Sequence, residues 1–481
     1  MTVTLNSRKD FTLENLRKVA LQEERVVIGR KATNAINHAR KSFMNLLDAD
    51  RSQFIYATTS GAGQGASARV PAEEQKKKAN EMRRMPSGGG FSDSYAPERV
   101  VRMILFARLA NYIEGNAKTR SIEAERIANL LEKPLPKLPL SGQVAGGEIL
   151  PLLHVMQSLS SQEVEEAEHM ARVNGSPVSA ALVCDASLTS ALRLSLAENI
   201  FALSADVYGA PLEFLSLALM QYWRARGEQL ALKNLHRLLQ GASKKYSIAH
   251  QPPCSLRILP RVLGAAHQAL ITAREVAEIS LSSVTDNPVY LLPTDEFPLG
   301  RAISTGGYHN AQATPAIDTL NARFADLCTL ADRQTMRLHS DEHLPDNLAR
   351  PGDTHYGTIL LSFVQVGFGE EACHAAQRTF VPPSEGGGIA GQNDVASATT
   401  LSYKKHLKAA FCLEGSLALL AVSASQAYYA TQRKIPPRLQ AFLEEVRAFV
   451  KPIKSCTSRH LGREVGKLRG HFANTVLAAS L

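Results

Sequence analysis

Apolar side chains recur along most of this chain at the spacing of one helix face. Val101, Ile104, Leu105, Leu109 and Tyr112 stand at i, i+3, i+4, i+8 and i+11, the stripe a helix buries against a core. Similar periodicity runs through 187–207, 212–239, 262–282, 312–340, 356–380, 397–430, 437–451 and 461–479. Several of these are longer than an ordinary globular helix, and long helices rich in Ala, Leu and Ser pack into bundles. Strand patterning is confined to 53–57 (QFIYA) and 287–292 (NPVYLL). The fold expected is mainly α. A mixed, loop-rich N-terminal region over 1–185 precedes a long helical bundle over 186–481, within a single integrated subunit.

Irregular stretches interrupt the helices at 57–65, 85–92, 133–148, 173–177, 248–260, 283–288, 303–310 and 382–394. Each alone reads as a helix connection. Together, with polar residues at their tips, they point to a composite site carried on a rigid scaffold.

Composition narrows the function classes. The 481 residues are 44% hydrophobic and 21% charged, enough to bury a sizeable core and unlike a disordered or disulfide-scaffold chain. The six cysteines form no CxxC pair, which suits reduced thiols in a cytoplasm. No secretory signal is read at the N-terminus. Apolar stretches such as 415–425 are too short and too rich in Ser and Ala for a bilayer, so no membrane partner is expected. Net charge is +9, but aromatics are only 6% with one Trp, a poor supply of stacking platforms for nucleic acid. The basic cluster Lys76, Lys77, Lys78, Arg83 and Arg84 is interspersed with Glu73, Glu74 and Glu81, the pattern of a solvated helix face.

Standard chemical motifs are missing. There is no GxxxxGK[ST] and no HExxH, and Gly61-Ala62-Gly63 is weak evidence for phosphate binding. His339 and His343 have helical metal-ligand spacing in a polar segment that reads as a solvated helix end, so no metal is expected.

Seven segments carry a more specific signal: QFIYATTSGAGQGASARV (53–70), KPLPKLPLSGQVAGGEILPLLH (133–154), VNGS (173–176), HQPPCSLRILPRVLGA (250–265), SVTDNP (283–288), STGGYH (304–309) and GQNDVAS (391–397). In this order and spacing the chain resembles the aromatic amino acid ammonia-lyase family, from about residue 11 to its end. The resemblance implies a mostly helical fold and a homotetramer whose active sites draw on three subunits. It also implies a small carboxylate substrate.

In that family an Ala-Ser-Gly triad cyclises to 4-methylidene-imidazole-5-one (MIO), an electrophile that takes on the amine or the ring of the substrate. The serine Cβ becomes the reactive methylidene carbon. Anchored on Pro151, Leu152 and His154, this chain carries Ala145-Gly146-Gly147 instead. Gly146 has no Cβ, so MIO is not expected and no other cofactor is implied. Glu148 stands where the family has Asp, and the stretch from Pro139 to Pro151 is one residue shorter than usual. Leu140-Ser141-Gly142 is a possible displaced triad, but the flanking anchors put it five residues too early.

Other positions follow from the resemblance. Tyr56 matches a catalytic tyrosine that acts as base near the substrate β-carbon, for which its pKa of about 10 must be lowered by neighbouring donors or cations. Asn174 matches an asparagine that touches the MIO and substrate, and Tyr308 an aromatic position beside it. Arg257 matches the arginine that pairs with the substrate carboxylate, a task suited to its planar fork. Gln251 and Gln392 match glutamines lining the site, and Asn393 stands where Glu or Gln is usual. Cys254 replaces a second tyrosine; it is either a space-filling thiol or a nucleophile. No histidine matches the one that marks histidine ammonia-lyases; Pro86 or a neighbour lies there, so a histidine substrate is not supported.

The expected function is an MIO-free lyase-family enzyme performing proton transfer, addition–elimination, cyclisation or isomerisation on a small amino-acid-derived carboxylate. The alternatives are a catalytically silent ligand-binding or scaffold homologue, and an ammonia-lyase with an unusual triad.

Overall fold

A computed structural model describes residues 2–50, 52–85, 88–243, 251–353, 358–384, 392–455 and 459–478. The Pro86 position, Cys456, and parts of the loops 248–260 and 382–394 lie outside these residues, as do the ends of the helices predicted from 356 and to 479.

The N-terminal region interleaves short elements. Strand β1 (Thr2–Leu5), helix α1 (Leu13–Leu21), strand β2 (Arg25–Ile28) and helix α2 (Arg30–Ala49) come first. They are followed by α3 (Ala72–Met82), α4 (Glu98–Leu109), α5 (Ser121–Leu130), α6 (Ile149–Met156) and α7 (Glu168–Val173). β1 and β2 pair in parallel, Val3 opposite Val26, with one face buried.

The bundle consists of α8 (Pro177–Tyr208), α9 (Arg226–Leu238), α10 (Cys254–Arg257), α11 (Leu259–Ser282), α12 (Ala313–Ser340), α13 (Leu360–Ala375), α14 (Thr399–Thr431), α15 (Gln440–Phe449) and α16 (Leu461–Ala478). Between α11 and α12, β3 (Val289–Leu291) and β4 (Arg301–Ile303) form an antiparallel pair. The mainly helical fold expected from periodicity is the one observed. Helix α8 is central, packing on α4, α11, α12 and α14. It and α14 are apolar around most of their circumference because they are buried on nearly all sides. Two helical spans, Glu168–Tyr208 and Thr399–Thr431, are long and apolar enough to cross a bilayer by length and composition alone, as buried core helices can be; 72% and 83% of their apolar windows are buried within the protein. The boundary placed after residue 185 falls inside α8, at Asp185.

Asp185 is part of a buried polar cluster that fixes helix register. Arg99 of α4 pairs with it at 2.6 Å, and the Tyr403 hydroxyl of α14 donates to it at 2.5 Å. Arg193 of α8 and Arg469 of α16 share Glu414 of α14 at 2.8 and 3.2 Å. Removing one partner from such a buried pair costs about 3–5 kcal/mol.

Three sequence readings are corrected. Residues 53–57 are not a strand: the Ile55 carbonyl accepts from the N–H groups of Thr58, Thr59 and Ser60, and the Thr59 hydroxyl takes the Ile55 N–H at 2.8 Å, so the chain turns instead of pairing. The helix predicted over 212–239 breaks into 3-10 turns at Leu212–Leu215 and Leu217–Gln221 before α9, the second turn begun where the Ser216 side chain accepts the Ala218 N–H. His339 is half-buried, not a solvated end; its Nε2 lies 3.2 Å from the Ser423 hydroxyl and 3.1 Å from that of Thr358.

Two buried imidazoles set an acid limit. Burial, with Arg172 nearby, pushes His169 down to about 4. Burial, with Arg193 contributing, pushes His406 down to about 3. An unfolded histidine titrates near 6.5, so these neutral rings stabilise the fold fully above that pH and lose the contribution as pH falls toward 4. Linkage gives about 2 kcal/mol per histidine at pH 5. Urea midpoints at pH 7 and pH 5 are expected to differ, and His406→Gln to shrink the difference; an unchanged difference in that variant refutes the assignment.

Candidate active site

A cavity of about 220 Å³ opens where six parts of the chain meet, between the N-terminal region and the bundle. Tyr56 enters from the turn after α2, and its hydroxyl oxygen accepts the Gly63 N–H at 3.2 Å.

Asn174, at the end of α7, forms the opposite wall. Its Nδ2 donates to the Asn287 carbonyl at 2.7 Å, and its Oδ1 accepts the Gly175 N–H at 2.9 Å. The Asn287 Oδ1 accepts from the Ser304 hydroxyl at 3.1 Å and the Thr305 N–H at 2.9 Å. Behind this wall the fully buried Asp286 lies 3.5 Å from Lys118 Nζ and 3.6 Å from the Arg108 guanidinium. Arg108 also donates to the Asn174 carbonyl, and Lys118 to that of Pro288. Burial lowers the Lys118 pKa while Asp286 opposes that shift. The charges lie behind the wall, and no charged side chain lines the cavity among the described residues.

The floor is Gly146-Gly147. Gly147 has φ +76°, the left-handed region, and a Cβ there would meet the Tyr308 ring at 3.3 Å. Tyr308 is held by its neighbours: the Ser176 hydroxyl donates to the Gly307 carbonyl at 3.0 Å, and His309 Nε2 lies 3.1 Å from the Ala396 carbonyl. Gln392 and Asn393 complete the rim. Ala145 anchors the floor, its carbonyl accepting the Ser397 N–H at 2.9 Å.

Glu148 fastens the same loop to the bundle. Its carboxyl accepts the N–H groups of Val178 and Ser179 at 2.6 and 2.8 Å, donors left open by the first turn of α8. Burial pushes its pKa up to about 7 against those donors.

A second chamber of about 310 Å³ shares Tyr56, Ile149 and Asn393 with the first. Beyond the shared residues its lining is mostly apolar and rich in thioether, with Met82, Met85, Met170, Leu153 and Val173, and His169 adds a polar ring.

The fold thus brings together Tyr56, Asn174, Tyr308, Gln392, Asn393, Gly146 and Gly147. It does not bring Cys254, Arg257 or Gln251 to them. Those three are exposed around α10, where Arg257 donates to the Gln251 side chain at 2.6 Å and the Pro252 carbonyl at 2.9 Å. Ser141 of the displaced-triad alternative also lies outside the cavity, its hydroxyl accepting from Lys404 Nζ at 2.8 Å. Sequence reasoning assigned no role to Asn287, Ser304 or Thr305, although it had singled out their segments. Nothing in the sequence pointed to Met82, Met170 or His169.

The ring-forming group of the resembled family does not fit these residues. Gly146 supplies no Cβ, and a Cβ built there would lie 2.5 Å from the Asn393 Cβ.

A family model described as aromatic amino acid lyase matches residues 11–164 and 156–448. A histidine ammonia-lyase of Streptococcus pyogenes serotype M18 is 24% identical over 441 residues, covering 84% of this chain and 83% of that protein. Among solved structures, the tyrosine aminomutase of Streptomyces globisporus superposes with TM-score 0.84 at 20% identity, covering 100% of this chain and 98% of that one. The ergothioneine-degrading ergothionase of Treponema denticola gives 0.85 at 16% identity, covering 99% of each chain.

Proposed function

The chain belongs to the aromatic amino acid lyase family, and from that premise we propose that it is an enzyme working without MIO. Its reaction is elimination from a small amino-acid-derived carboxylate whose leaving group departs unaided. The observation that carries this reading is the floor of the cavity. Position 146 lacks the carbon an electrophilic ring requires, and Asn393 fills the space where that carbon would project.

A free α-amino group leaves poorly, so a lone base faces nearly the whole barrier. A quaternary ammonium has no N–H for a base to remove, so it is always in its leaving form and departs as a neutral tertiary amine. Tyr56 takes the β-proton, the C–H pair becomes the new C=C bond, and the C–N pair leaves with the amine. The uncharged amide wall of Asn174 and Asn287 receives the polar end of the substrate, and the methionine chamber its apolar end. A structural neighbour named for degrading ergothioneine, itself a betaine, supports this substrate class.

The carboxylate clamp is Arg257 of another copy, with Gln251 and Cys254 beside it, in a homotetramer. An apolar face supports assembly: Leu360, Phe363, Val364 and Val366 of α13 are half to two-thirds exposed, as are Phe380 and Val381. The reduced thiols suit a cytoplasmic location.

Two measurements test the reading. The intact mass is expected to equal that of the unmodified sequence. Incubation with the N,N,N-trimethyl betaines of phenylalanine, tyrosine and histidine is expected to release trimethylamine, while the free amino acids stay intact. A mass short by two waters, with brisk release of an arylacrylate from a free amino acid, overturns it.

A further inference from the structure

The Asn393 side chain makes no hydrogen bond to any described residue, yet it is pressed against the triad. A Cβ on Gly146 would lie 2.5 Å from Asn393 Cβ, 2.7 Å from its Cγ and 3.1 Å from its Oδ1. The nearest of these atoms is the Cβ, whose place is set by the backbone. Turning the asparagine side chain therefore does not relieve the contact.

The backbone just after Asn393 is pinned to two other segments. The Ser384 N–H donates to the Asp394 carbonyl at 2.9 Å, and the Ala396 N–H to that of Pro382 at 3.0 Å. The Ser397 N–H donates to the Ala145 carbonyl, one residue before the glycine, which fixes the two segments against each other.

We propose that Gly146 and Asn393 are a matched pair. Asn393 occupies the volume any side chain at 146 needs, so the site is rebuilt around glycine and a serine restored at 146 has no room. The same packing places the unpaired Asn393 carboxamide on the wall between the two chambers. Asn393 is thereby a shape-determining residue of the site. This rests on the MIO-free reading, but its failure is separate: that reading fails on the mass of the unmutated chain, this one on the coupling between two substitutions.

The test is a cycle in the full chain, read by thermal unfolding. Overpacking is destabilising, and spread over the unfolding entropy of a chain this long, Gly146→Ala is expected to lower the melting temperature by roughly 1–3 °C. Adding Asn393→Ala, which keeps the offending Cβ, leaves that loss in place; adding Asn393→Gly recovers most of it. Should Gly146→Ala not accumulate as folded protein, recovery of soluble protein by Asn393→Gly and not by Asn393→Ala reads the same coupling. A Gly146→Ala protein that melts with the parent overturns the proposal. So does equal rescue by both asparagine variants, or rescue by neither.

Discussion

Tyr56→Phe is expected to lower kcat for betaine elimination by about 100- to 10,000-fold, the usual worth of a positioned general base, with KM nearly unchanged. The substitution removes one oxygen and keeps the ring. The apolar packing of Tyr56 against its neighbours therefore survives, and only the proton acceptor is lost. The Gly63 N–H that contacts the hydroxyl at 3.2 Å is then free to take water. Single-turnover measurements with the parent and the variant decide the matter. Equal rates put the proton on another group and remove Tyr56 from the chemistry. A rate loss accompanied by a large rise in KM makes it a binding residue instead.

The second large effect concerns assembly. Arg257→Gln is expected to cost about 2–4 kcal/mol in kcat/KM, roughly 30- to 1000-fold, because the substrate carboxylate loses its paired cation. Arg257 does not line the cavity that holds Tyr56 in its own chain. A chain defective at Tyr56 and a chain defective at Arg257 should therefore repair one another. With equal co-expression and random mixing, roughly a quarter of the sites in mixed oligomers carry both intact residues. Activity of the co-expressed pair well above that of either variant alone is the expected result. If the mixture is no better than its parts, Arg257 serves no site shared between copies.

The sequence made the long helices plain because their apolar period is sustained over many turns. Residues 262–282, 312–340 and 397–430 match α11, α12 and α14 to within a few residues. Short elements gave no such signal. β1 and β2 have four residues each, too few for alternation to stand out, and they pair across an intervening helix. Ile55 and Tyr56 resembled a strand because side-chain type was visible and the Thr59 hydroxyl competing for the backbone was not.

The cavity divided the same way. Tyr56, Asn174, Tyr308 and Asn393 sat in segments whose order was recognisable, and they meet. The methionine chamber was hidden because scattered Met and His residues have no diagnostic spacing. The distance between Arg257 and Tyr56 was hidden as well, since a linear sequence does not say where one subunit stops contributing. The missing Cβ at position 146 was legible at once. That a neighbour 247 positions away lies in the space such a carbon would need took three dimensions to see.

The two chambers make unequal demands on whatever they hold. Asn174 and Asn287 are braced from behind by a sealed ionic knot, so the donors and acceptors they present have little latitude. Thioethers at Met82, Met85 and Met170 are supple and polarisable, and re-form around differing outlines. A guest straddling both halves would be scrutinised at its hydrophilic head and indulged at its greasy tail. On the proposed reading, compounds that share one headgroup and differ in their tails are expected to be accepted alike.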